Sequence, residues 1–80
     1  MQAVFLQADG VVGMVKESND SFEITFIGKP AQIIRLMEEI RIFFKYKKFP
    51  NKYIEKMYYW NARNKKIIRR KDYMAVTYTN

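Results

Sequence analysis

The hydrophobic and polar positions of this chain change period part-way along. Ala3–Gln7 reads as a first strand, and Asp9-Gly10 is the kind of pair that favours a tight hairpin turn. Val11–Lys16 reads as a second strand, with Gly13 as an expected bulge or close-approach position. The cluster Ser18-Asn19-Asp20-Ser21 is turn chemistry. Phe22–Ile27 then alternates, setting Phe22, Ile24 and Phe26 on one face and Glu23 and Thr25 on the other. Three antiparallel strands in a meander are expected.

Gly28-Lys29-Pro30 ends the meander and opens a helix, because proline fits the first helical position. From Ala31 to about Lys47 the period becomes helical. Ile33, Leu36, Met37, Ile40, Phe43 and Phe44 form one apolar stripe. Arg35 with Glu39 and Glu38 with Arg41 suit the exposed face, while Ile34 and Ile42 fall outside the stripe. Phe49-Pro50-Asn51 breaks this helix, and Asn51 is placed to cap a second one running from Lys52 to about Arg63. On that helix Tyr53, Ile54, Met57, Tyr58 and Trp60 share a broad side. Lys66–Arg70 and Tyr73–Thr79 read as a closing hairpin, with Met74, Val76 and Tyr78 facing one way. The expected fold is a small α+β domain of order βββααββ. Its antiparallel sheet has four or five strands packed on one or two helices.

Charge divides the chain unevenly. Residues 1–29 hold two basic and four acidic residues, whereas residues 30–80 hold thirteen basic and four acidic ones. The formal net charge of +7 is therefore the difference between an acidic meander and a basic part made of helices and hairpin. With 80 residues and no Pro/Gly/Ser-rich linker, a single domain with two unlike faces is expected. The N-terminus has no basic region ahead of an apolar run, and no apolar stretch approaches the ~20 residues of a membrane span. A cytoplasmic location without membrane binding is the expectation. Phe, Tyr, Met, Ile, Asn and Lys supply 41 residues against 15 for Gly, Ala, Arg and Pro, a bias of A·T-rich genomes that makes a phage or viral source worth weighing.

The absence of cysteine and histidine removes thiolate chemistry, the commonest general base and the commonest metal ligands. No metal and no cofactor are expected, and Gly10, Gly13 and Gly28 are too far apart to cradle a phosphate. The acids sit mostly at turns or in helix-surface pairs, and Glu38 and Glu39, adjacent on a helix, point about 100° apart. Binding without catalysis is the expected class.

The leading constellation is Lys52, Lys56, Tyr59 and Arg63, spaced 4, 3 and 4 on the second helix. Three cations and an exposed ring can hold phosphates while the ring stacks on a base. The bland alternative is a solvated helix face. Lys45 and Lys48 interleave with aromatic residues, although cations at a helix C-terminus also serve the dipole. The run Lys65-Lys66-Ile67-Ile68-Arg69-Arg70-Lys71, with Lys66, Arg69, Arg70 and Lys71 as its candidate contacts, is the densest charge in the chain and is either a nucleic-acid-contacting wing or protection of a sheet edge. A winged helix-turn-helix is the sharper version of that idea. Ile42 and Tyr46, off the apolar stripe, are candidate protein contacts.

Nucleic acid, or an acidic or nucleic-acid-bound protein surface, is thus the expected partner. The first alternative is a phage or mobile-element inhibitor that blocks a host nucleoprotein machine in the host cytoplasm. The second is a small mRNA-cutting toxin using Lys52, Lys56, Tyr59, Arg63 and Arg69 to stabilise a transferred phosphate.

Overall fold

The computed structural model describes residues 10–80 in full and the backbone course of Gln2–Ala8. The Asp9 half of the expected turn, and the side chains of the first strand, lie outside the described residues. The elements are β1 (Gln2–Ala8), β2 (Val11–Glu17), β3 (Phe22–Gly28), α1 (Pro30–Tyr46), α2 (Lys52–Tyr59), β4 (Asn64–Arg69) and β5 (Met74–Thr79). All neighbouring strands run antiparallel in the order β1-β2-β3-β5-β4. The α+β class and the βββααββ order match the sequence reading.

The alternation in β3 and β5 decides which face is buried. Ile24 lies opposite Tyr78, Phe26 lies opposite Val76, and all four are buried together with Phe22, Val15 and Met74. Ile33 and Ile40 of α1, with Ile54 and Met57 of α2, close the core from the helix side. Each such side chain withdrawn from water contributes on the order of 1.5–3 kcal/mol before entropy is charged against it. The other sheet face carries Thr25 and Thr77, whose hydroxyls share a 2.9 Å hydrogen bond, and Lys16 beside Glu23 at 4.0 Å.

Local geometry decides against one alternative at each of two places. The β1–β2 and β2–β3 registers run through Gly13 without an inserted residue, so no bulge forms there. The closing hairpin is no free wing, because β5 inserts between β3 and β4 and pairs with both. That insertion joins the basic half of the chain to the acidic half in one sheet, and it leaves β4 as an outer strand.

The helix ends follow from single residues. Pro30 occupies the first turn of α1, and Lys47 closes it in the left-handed region (φ 56°) with its N–H donating to the Phe43 carbonyl. The Asn51 side chain accepts from the Tyr53 and Ile54 N–H groups, both at 3.0 Å, as expected of a cap. Asn61 adopts φ 56°, and the Ala62 N–H bonds back to the Met57 carbonyl at 2.7 Å. Asparagine tolerates this conformation better than most residues, so α2 stops at Tyr59, well short of Arg63.

Candidate nucleic-acid interface

Ending α2 at Tyr59 dismantles the leading constellation. Arg63 lies beyond the turn, where its guanidinium rests 5.5 Å from the Phe44 ring centroid and 5.3 Å from that of Tyr58. Lys56 stays on the helix but spends its charge within the protein. Its Nζ donates to both Glu17 oxygens, at 2.8 and 3.0 Å. Glu17 ends β2 and Arg63 precedes β4, so β3 and β5 lie between the strand that holds the Lys56 ammonium and the one that follows Arg63. Lys52 lies over the ring of Tyr53, its neighbour on α2, 5.2 Å from the centroid. Tyr59, at 71% exposure, remains the most exposed large hydrophobic side chain of the helix.

Other members converge where α1 passes the sheet edge. A groove of about 430 Å³ opens there, floored by Met37, Ile40, Phe44 and Tyr78 and rimmed by Arg41, Lys45, Arg63 and Lys65. Among the described residues no acid lines it, although Glu38 bonds the Arg41 guanidinium from the next helical turn. Its volume lies within the range of small-ligand clefts. Burial on the groove floor pushes the Tyr78 hydroxyl up to about 12.

An aromatic chain leads from this groove to the surface. Phe44 meets Tyr58 edge-on at 5.6 Å, Tyr58 meets Phe49 at 5.1 Å and Tyr59 at 5.5 Å. Arg63 caps the inner end of this chain and Tyr59 forms its exposed end. The interhelix turn thus uses Phe49 as an anchor, while Lys48 lines a separate shallow pocket with Ile42, Phe43 and Tyr46. Ile42 and Tyr46 are exposed, at 45% and 61%, as their place off the stripe predicts.

The basic run of the hairpin is divided between two faces. Lys65 and Arg69 share the helix-side face with Ile67, by register with Tyr78, Met74 and Val76. Lys66 lies opposite Thr77 and projects from the other face, and Arg70 follows the strand with a guanidinium bond to the Arg69 carbonyl at 3.2 Å. Lys71 is exposed in the connecting turn.

Of the sequence candidates Lys45 and Arg63 reach the groove rim, joined there by Arg41 and by Lys65 from the head of the basic run, while Tyr59 lies outside it. Arg41 was accounted for by Glu38 three residues away, and Lys65 acquires its neighbours only because β4 lies beside β5 under α1. Compared with protein-family models, curated proteins and solved structures, the chain matches none of them. Among the described residues, no helix is long and apolar enough to cross a membrane.

Proposed function

We propose that this is a small, cytoplasmic, non-catalytic binding protein that holds nucleic acid, bare or within a nucleic-acid-handling complex, against the groove between α1 and β4. The observation that carries the reading is the convergence of Arg41, Lys45, Arg63 and Lys65 on an apolar floor with no acid lining it among the described residues. Phosphates are drawn to the rim by charge, while sugar or base surfaces cover Met37, Phe44 and Tyr78. Tyr59 offers an exposed face on which a further base stacks.

The test is a fluorescence titration of labelled single- and double-stranded oligonucleotides at ~50 mM salt. Saturable binding is expected, with at least a tenfold loss for the triple variant Lys45→Gln/Arg63→Gln/Lys65→Gln. If no oligonucleotide binds at that salt, the reading is lost.

A second reading is favoured by the shallow pocket of Ile42, Phe43, Tyr46 and Lys48, with two of its four residues conspicuously exposed apolar or aromatic groups. Here the protein is an inhibitor that covers an acidic surface of a host nucleoprotein machine. Capture of a nuclease-treated complex that Ile42→Asp does not weaken would count against it. The RNA-cutting alternative has less support. Lys56 is held by Glu17, and Arg69 lies roughly 20 Å along the chain from Arg63. Expression that leaves mRNA intact would dispose of it.

A further inference from the structure

All six residues of β4 are exposed, and the strand pairs on one side only, with β5. The direction of its free backbone groups follows from the turn beside it. The Arg70 N–H donates to the carbonyl of Tyr73, the residue opposite, at 2.9 Å. Opposed residues in an antiparallel ladder alternate between hydrogen-bonded and non-hydrogen-bonded pairs. Counting back, Asn64, Lys66 and Ile68 direct their backbone groups to β5, while Lys65, Ile67 and Arg69 direct theirs outward. The outer edge presents three N–H donors and three carbonyl acceptors to solvent.

The side chains along this edge form a symmetric pattern. Lys65-Lys66-Ile67-Ile68-Arg69-Arg70 places a pair of cations on each side of an apolar centre. Ile67 and Ile68 remain 45% and 38% exposed, one on each face of the sheet. A second copy of the chain is a poor partner for such a strand. Pairing through the outward groups of Lys65, Ile67 and Arg69 sets Lys65 against Arg69 in an antiparallel pair centred on Ile67, Lys66 against Arg70 in one centred on Ile68, and Lys65 against Lys66 in a parallel pair offset by one residue. Like charges directly opposed across strands are destabilising. Among the described residues, the ion pairs involve Lys16, Arg41 and Lys56, so no described acid neutralises these four cations.

We propose that β4 is a docking edge for an extended acidic segment of a partner protein, which adds to the sheet as a further strand. The outward backbone groups of Lys65, Ile67 and Arg69 supply the ladder. Acidic residues opposite the two cation pairs, with apolar residues opposite Ile67 and Ile68, supply the selectivity. The same charges that repel a second copy recognise this partner. The surface is distinct from the groove, with which it shares only Lys65.

The experiment uses a labelled decapeptide whose six central residues run Glu-Asp-Val-Ile-Glu-Asp. Its binding is followed by anisotropy, and amide exchange of the protein is followed by NMR. The expected result is saturable binding with at least tenfold slower exchange at Lys65, Ile67 and Arg69. Ile67→Pro removes an outward N–H and no β4–β5 bond, so it weakens binding at least tenfold with every charge retained. Lys66→Glu/Arg70→Glu loses the acidic peptide and gains its counterpart Lys-Asp-Val-Ile-Lys-Asp, whose lysines oppose the two new glutamates, which decides the matter if the proline variant fails to fold. Equal binding of an acidic peptide of the same charge that is interrupted by prolines overturns the proposal in favour of simple charge attraction. Unchanged exchange at the three amides overturns it too. Protection of those amides by an oligonucleotide that displaces the peptide reassigns the edge to nucleic acid.

Discussion

Lys56 has two incompatible roles, and one perturbation separates them. On sequence spacing it is a phosphate contact, whereas its ammonium bonds both oxygens of Glu17 at 2.8 and 3.0 Å. The pair connects α2 to the end of β2, 39 residues away, so it holds the short helix against the sheet. Two opposite charges 4 Å apart attract by about 1 kcal/mol in water and about 4 kcal/mol at an effective dielectric of 20. The side chains are 42% and 34% exposed, which admits water and salt and brings the expected coupling down to about 1 kcal/mol. A double-mutant cycle of Lys56→Met and Glu17→Gln, read by urea denaturation, measures that coupling directly. The same Lys56→Met protein, titrated with a single-stranded oligonucleotide, should keep the wild-type salt slope because its charge is already committed. A coupling near zero, together with a slope lower by about 0.7, would refute the structural assignment and restore Lys56 to the binding surface.

Two other substitutions probe the elements that hold the groove together. Asn51→Ala leaves two N–H groups of α2 without their acceptor and should cost about 1 kcal/mol in chemical denaturation, and an unchanged midpoint would show that the cap is dispensable. Tyr78 ionises near 10 in the unfolded chain and near about 12 in the fold, so the folded protein holds that proton more tightly. Its stability is full below pH 10 and falls as pH rises through 12, by on the order of 2–3 kcal/mol. Tyr78→Phe should flatten that part of the stability profile, and parallel profiles for the two proteins would contradict the burial argument.

The parts of the fold that were legible in sequence are those fixed by local period and local turn chemistry. The stripe from Ile33 to Phe44 defines α1 because six apolar residues at helical spacing have no reasonable second arrangement. Alternation in Phe22–Ile27 and Met74–Tyr78 identified the buried faces of both strands for the same reason. Asn51 was recognisable as a cap by residue type and position.

What escaped the sequence depends on distant partners or on one dihedral. The left-handed Asn61 ends α2 early: Asn61-Ala62-Arg63-Asn64 is legible in sequence as the exit of the helix, but the residue at which it stops is not. The exposed run Lys65–Arg70 becomes an outer strand only because β5 returns between β3 and β4, a pairing set by Phe26 against Val76 across 50 residues. Glu17 and Lys56 are likewise joined by folding alone. The candidate site inherits these limits. Its residue types were anticipated, but its membership was decided by which strand lies beside which.

The most direct test of the central claim is the salt dependence of single-strand binding. Lys45, Arg63 and Lys65 rim the groove with no ion-pair partner among the described residues, whereas Arg41 is held by Glu38, so about 0.7 per phosphate contact gives a wild-type slope of about 2.1. Replacing Arg63 and Lys65 by glutamine should lower it to about 0.7. An unchanged slope in that variant would contradict the account, because it would mean that the phosphates lie somewhere other than the groove.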